Sequence, residues 1–437
     1  MFFGINLLRS THLSGMNSDG IKDTGTQDNS TLELNYSVVD SVNIGSHQSS
    51  TFKKLVRVLF VDHTSKLSGA EIALYNLIVT LDNTKYLPIV VLFTDGDFAE
   101  KLRSAGVEVH ILSVQNNIVN TRKEKIGLRS LTRWSDLSAF LSTTRDLSRL
   151  ISKLNPDIVH TNSLKSDVIG GFASKIARKR LVWHIHDNIT PEYLPKFAVA
   201  AIKVLARLLP NVVIANSHAT LSTLNLPSSK ASDVIYCGVH IEPLPPERGW
   251  HSPIRIGIVG RIARWKGQHV FLEAASRVHA RFPDTEFVII GSSLFGEESY
   301  QEELNEIAAR NGMYSYLKYE GFRTDISTAI SELDILVHAS ILPEPFGQVI
   351  VEGLAGGKPV VATAGGGVLE IITNGETGYL VPMNDIDAMV SSICDILEFP
   401  EKSKNMATRG RVMVTERFDL AVTARALETL YTQLLNR

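Results

Sequence analysis

From Val56 onward the chain alternates short, nearly uninterrupted runs of Val, Ile and Leu with longer amphipathic stretches, and this alternation leaves few folds open. A strand with one wet face shows a polar residue at every second position. These runs do not, so they fit parallel strands covered by helices on both faces. Val56–Val61, Leu87–Phe93, Val107–Leu112, Asp157–Thr161, Leu181–His186 and Val212–Ala215 are the strands expected of a first set, with helices expected over Ala70–Leu81 and Leu137–Leu154. Ile254–Val259, Glu286–Ile290, Tyr316–Tyr319, Ile335–His338 and Pro359–Thr363 are those of a second. The pattern implies an α/β chain of two doubly wound, Rossmann-like domains facing across a cleft.

At 437 residues, 44% of them hydrophobic, the chain has material for two cores. Residues 1–52 read as an N-terminal extension: Ser10 to Thr51 is rich in Ser, Thr, Asn, Gly and Asp, lacks apolar periodicity and is expected to be disordered. Met1–Leu8 is apolar but has no basic stretch before it, so no secretory signal is expected. The proline-rich run Ile241–Pro253 reads as a linker. It separates a first domain, residues 53–245, from a second, residues 246–419. Residues 420–437 are expected to form a helix able to cross back to the first domain.

A net charge of -2 gives no global attraction to nucleic acid or to an anionic membrane, so any anion must be held by a local site. Cys237 and Cys394 lie far apart and suit neither a metal site nor a disulfide framework, which points to a cytoplasmic setting. No run reaches the ~20 apolar residues of a membrane span. Membrane contact at the inner face would be peripheral. Lys196–Leu209, with Lys196, Lys203 and Arg207, is the amphipathic candidate, although a helix lying on the sheet with its basic side in water explains it more simply.

In open parallel sheets, ligands gather at the carboxyl ends of strands, where helix N-termini present free N–H groups. After Ile335–His338 the chain runs Ser340-Ile341-Leu342-Pro343-Glu344-Pro345-Phe346-Gly347 and then opens a helix carrying Glu352. The amides of Gly347, Gln348 and Val349 suit a phosphate oxygen. Glu344 before the helix and Glu352 inside it can hold the hydroxyls of a polyol at either end. Arg261, after the first strand of this set, and Lys266, at the next helix start, add two cations suited to a diphosphate.

The residues Pro343-Glu344-Pro345-Phe346-Gly347, Val351-Glu352-Gly353-Leu354-Ala355 and Gly357-Lys358-Pro359-Val360-Val361-Ala362, preceded by Gly260-Arg261 and Lys266-Gly267, resemble the donor site of the retaining glycosyltransferases of family four, which have the two-domain GT-B fold. Gly366-Gly367, Glu370 and Asn374–Gly378 fit the same family. So do Ser68-Gly69-Ala70-Glu71, His160-Thr161-Asn162-Ser163 and His184-Ile185-His186-Asp187 in the first half. The resemblance runs from Val56 to the end.

The resemblance implies a sugar moved from a nucleoside diphosphate sugar to a carbohydrate or lipid-linked acceptor, in surface polysaccharide or glycolipid assembly. No cofactor or metal is implied, because the sugar nucleotide is itself a substrate. Glu352 would hold the nucleotide ribose, Glu344 the donor sugar, and Arg261 and Lys266 the diphosphate, with Gly69, Phe346, Gly347, Gln348 and Val349 also in the donor site. His186 would lie beside the reacting sugar. His184 is the alternative, read as pointing to the opposite face of its strand and so as a packing residue. Two other readings differ in class: a non-hydrolysing sugar-nucleotide epimerase, and a non-catalytic sugar-nucleotide-binding protein.

Other motifs carry less. Asp95-Gly96-Asp97 resembles a metal-binding Asp-x-Asp, but Asp97 with Glu100 reads as a helix cap, and Asp385-Ile386-Asp387 as another helix start. Gly365-Gly366-Gly367 lacks the spacing of a dinucleotide fingerprint, which disfavours a nicotinamide enzyme. The basic stretch Arg122–Arg133 has no interleaved aromatics and reads as a loop over the acceptor cleft, with no nucleic-acid partner.

Overall fold

The computed structural model describes residues 54–112, 114, 134–244, 249–293 and 297–437. The expected disorder of residues 1–52 and the Arg122–Arg133 loop lie outside the described residues.

Two all-parallel sheets form the frame. The first contains β1 (Val56–Asp62), β2 (Tyr86–Leu92), β3 (Glu108–Ile111), β4 (Ile158–Thr161), β5 (Arg180–Ile185), β6 (Val212–Ala215) and β7 (Ser232–Val234), in the order 3-2-1-4-5-6-7. The second contains β8 (Ile254–Val259), β9 (Thr285–Ile290), β10 (Leu317–Gly321), β11 (Ile335–His338), β12 (Val360–Thr363) and β13 (Tyr379–Val381), in the order 10-9-8-11-12-13. The apolar runs form these strands because helices bury them on both faces: Val58, Phe60 and Val90 enter one core, and Leu59, Val61 and Val91 the core on the opposite face. Each sheet reverses its strand order once, between β1 and β4 and between β8 and β11, and a crevice opens at each reversal.

β7 and β13 were not among the expected strands. Both are three-residue edge strands, too short to show a period. The Lys196–Leu208 helix buries Val199, Ile202 and Ala206 against the first sheet and exposes Lys196 and Arg207. Among the described residues, no helix is long and apolar enough to cross a membrane. Asp385 does cap its helix, accepting from the Ala388 amide at 2.9 Å. Asp97 does not cap. Gly96 takes the N-cap position of the Asp97–Ser104 helix, and Ser65 from the β1 loop supplies the missing acceptors, its Oγ taking the Ala99 N–H and its carbonyl the Phe98 N–H.

The chain passes between the two halves at Val239 and at Asp419, and these passages pair: the Val239 N–H donates to the Phe418 carbonyl, and the Leu420 N–H to the Val239 carbonyl. Gly238 permits this approach, since a Cβ there would stand 2.8 Å from the Leu420 Cα. Beyond the crossing, the Leu420–Leu435 helix buries Leu427, Leu430, Tyr431 and Leu434 in the core of the first sheet with Val58 and Phe60.

Candidate active site

In the second half, two glycine turns set the geometry at the β8/β11 reversal. Gly267 (φ 71°) ends the short Arg264–Lys266 turn so close to the β11 loop that a Cβ would lie 1.9 Å from the Ala339 carbonyl oxygen. Gly347 (φ 111°) is the N-cap of the Gln348–Ala355 helix, and no side chain caps that helix start. Its first amides, those of Gln348 and Val349 among them, therefore face the crevice as orphan donors with the positive end of the helix dipole.

Against this helix start, the Lys266 ammonium meets Glu344 Oε1 at 2.5 Å. Ser340 Oγ donates to Glu344 Oε2 at 2.8 Å, and His338 Nε2 lies 3.5 Å from the same oxygen. Burial pushes the Glu344 carboxyl up, but the Lys266 charge and His338 outweigh it and hold the group well below the usual carboxylate range. Glu344 is thus a fixed anion in the cleft. Glu352 is the opposite case. Burial, only partly opposed by a hydrogen bond from Gln348 Nε2 at 3.3 Å, raises its pKa to about 7. Arg261 is half-buried at the end of β8, beside Gly260, and its carbonyl accepts from Gln268 Nε2.

One donor-site expectation changes. Phe346 is 3% exposed, and its ring packs on Tyr236 and Phe418, so the side chain supports the loop from below and does not face a ligand. Val349 packs its side chain against that core, which leaves its amide, the group expected at a phosphate oxygen, at the helix start. Gly69 is exposed in the first turn of the Gly69–Thr80 helix, where a Cβ would meet nothing within 4 Å.

In the first half, the β1/β4 reversal carries a line of hydrogen bonds ending on His186. Asp62, fully buried, accepts from Asn162 Nδ2 at 2.9 Å and from Ser163 Oγ at 2.9 Å. Asn162 Oδ1 then faces His186 Nε2 at 2.9 Å. Because the Asn162 amide donates to a carboxylate, its oxygen must accept, so His186 carries a proton on Nε2, while its Nδ1 lies 3.9 Å from Cys237 Sγ. Burial, reinforced by the Glu352 charge, pushes the Cys237 thiol up to about 12. His186, Cys237 and Glu352 therefore converge from the first half, the crossing segment and the second half.

His184 does not point to the opposite face from His186. The two rings lie with centroids 4.0 Å apart, because side chains two positions apart on a strand share a face. His184 is nonetheless buried, only 4% exposed.

Several contacts tie the halves beside this cleft. Asn188 Nδ2 donates to the Pro343 carbonyl at 2.9 Å, and Ser217 Oγ and Thr220 Oγ1 donate to the Pro345 carbonyl. The Glu370 carboxylate accepts from the His218 and Ala219 amides and from the Tyr236 hydroxyl. No role is expected of Asp62, Asn162 or Glu370 from their places in the sequence. A signal existed for Asp62, an acid closing an apolar strand, which must find donors when buried. Among the described residues, no three His, Cys, Asp or Glu gather as a metal site would require.

The chain's likeness to known proteins covers both halves. Residues 244–413 match the family model described as glycosyl transferases group 1, and residues 96–243 that of glycosyltransferase family 4. The capsular polysaccharide biosynthesis glycosyltransferase CapM of Staphylococcus aureus is 23% identical over 77% of this chain and 92% of CapM. The lipopolysaccharide core biosynthesis mannosyltransferase LpsB of Rhizobium meliloti is 28% identical over 41% of this chain, which there spans about half, 52%, of LpsB. The crystal structure of Anabaena HepE in complex with UDP and glucose superposes with a TM-score of 0.74 at 27% identity, covering 86% of this chain and 99% of HepE. Sucrose-phosphate synthase from Thermosynechococcus elongatus, 18% identical with a TM-score of 0.73 over 87% of this chain and 99% of its own, shares the fold. Matched in tandem from residue 96 to residue 413 and built on the GT-B fold, the chain belongs to the group 1, family 4 glycosyltransferases.

Proposed function

We propose that the chain transfers a sugar from a nucleoside diphosphate sugar to a carbohydrate or lipid-linked acceptor, with retention of anomeric configuration and without a metal ion, in surface polysaccharide or glycolipid assembly. The observation that carries this reading is the uncapped start of the Gln348–Ala355 helix, set against the Lys266–Glu344 pair. An ammonium has three donors, so Lys266 can keep Glu344 and still reach a phosphate oxygen. With Arg261 and the amides of Gly347, Gln348 and Val349, it neutralises the charge that grows on the leaving diphosphate, the part a divalent cation plays elsewhere. Glu344 orients the hydroxyls of the transferred sugar, and Glu352 takes the ribose.

On the acceptor side, His186 stands at the reacting sugar. As the bond from the anomeric carbon to the phosphate oxygen breaks, the acceptor oxygen bonds to the same face of that carbon and its proton passes to the leaving phosphate. No protein nucleophile is needed. The likeness to HepE makes a UDP-sugar the first donor to try. An acceptor on a lipid would be met at the cytoplasmic face by peripheral contact.

The test is a product assay with UDP-, GDP- and ADP-sugars and a range of glycan and lipid-linked acceptors, with and without a chelator. Free nucleoside diphosphate together with a glycosylated acceptor of unchanged anomeric configuration, indifferent to chelation, is the expected result. An isomerised sugar nucleotide, an inverted product or loss of transfer on chelation would contradict the reading.

A further inference from the structure

Beneath His186 the first sheet buries a second line of polar groups that the proposed reaction does not use. His160 Nδ1 on β4 lies 2.6 Å from the Tyr431 hydroxyl, and His160 Nε2 lies 3.2 Å from His184 Nδ1 on β5. Tyr431 belongs to the final helix and is fully buried. At the other end, His184 Nε2 has no hydrogen-bond partner, and His184 lines a cavity in the cleft together with Asn162, His186, Cys237 and Thr423.

The direction of this chain follows from counting protons. A neutral imidazole carries one N–H and one lone pair. Burial keeps both rings neutral, holding His160 at about 3 and His184 well below its ordinary value. Run from His184 toward Tyr431, the donors would leave the phenolic hydrogen stranded in the apolar core with Val58, Phe60 and Leu427. Run the other way, Tyr431 O–H donates to His160 Nδ1 and His160 Nε2–H donates to His184 Nδ1. The remaining N–H, on His184 Nε2, then belongs to a ring that lines the cavity, where a ligand oxygen can satisfy it. A buried donor left without a partner is costly, so the second direction is favoured.

We infer that Tyr431 and His160 are positioning residues that orient His184, and that His184 Nε2–H is a binding group for an oxygen of the hydroxylated ligand seated against His186. The inference rests on the proposed role of His186. It makes the final helix, remote in sequence from every donor-site residue, part of the support of the acceptor half.

The test uses the full chain with isotope-labelled imidazole nitrogens. Long-range proton–nitrogen spectra of the wild type should show both His160 and His184 as neutral Nε2–H tautomers. Tyr431→Phe, which removes one hydroxyl and keeps the ring, should perturb both resonances and lower kcat about fivefold while the donor KM stays unchanged. An Nδ1–H tautomer at His184 in the wild type, or an unaltered kcat in Tyr431→Phe, would overturn the inference. Full activity in His186→Ala would overturn the reading beneath it. Loss of activity there beside a fully active Tyr431→Phe would overturn the inference alone.

Discussion

At neutral pH Glu352 stands between its two forms, because burial lifts its pKa to about 7 against a single opposing hydrogen bond from Gln348. Only the ionised carboxylate can accept both hydroxyls of a ribose. Donor affinity should therefore rise as pH is raised from 6 to 8, by up to about tenfold, and Glu352→Gln should bind more weakly with a flat profile, both read as Kd by calorimetry. Fold stability moves the other way. The folded pKa lies above the ordinary value of 4.5, so the contribution of this group is fully present below that pH and is lost as pH rises through about 7. Urea unfolding should find Glu352→Gln equal to the wild type near pH 4 and more stable at pH 8, by at most about 3 kcal/mol. Lys266 has the reverse significance: Lys266→Met leaves Glu344 buried without its cation and should destabilise the fold by about 3 kcal/mol in the same measurement.

Among the elements, the glycine turn at Gly267 is the most demanding. It combines a left-handed backbone with a Cβ position 1.9 Å from a carbonyl oxygen, so Gly267→Ala must move the Arg264–Lys266 turn away from the β11 loop. A loss of about 2 kcal/mol or more in thermal unfolding, together with weakened donor binding, is the expected outcome. Elements of this kind also mark where sequence reading succeeds. β6, β8 and β11 were legible to the residue because buried parallel strands are continuous apolar runs bounded by turns. β7 and β13 were illegible because three residues at a sheet edge carry no period. The cap at Asp97 failed for a different reason, since its acceptor comes from Ser65, more than thirty residues earlier in the chain. Within the site, Glu344, Glu352 and Lys266 could be read from their place after strands. The Asp62–Asn162–His186 line could not, because the β1/β4 and β4/β5 pairings bring together residues far apart in the chain.

At the scale of the whole molecule, the two halves meet through the paired crossing at Val239 and Asp419, the Pro343 and Pro345 carbonyls, and Glu370. The groups proposed to hold the donor come from one half, His186 from the other, and Cys237 from the segment between them. Lys266, Glu344 and the Gln348–Ala355 helix start are proposed to form a diphosphate-sugar site. The most direct test is thermal or urea unfolding of the wild type and of Lys266→Met, each with UDP-, GDP- and ADP-sugars. A donor at a hundredfold excess over its Kd should stabilise the wild type by about 2.7 kcal/mol, and the same concentration should stabilise the variant far less. Absence of stabilisation by all three donors, or an equal gain in the variant, would contradict the account.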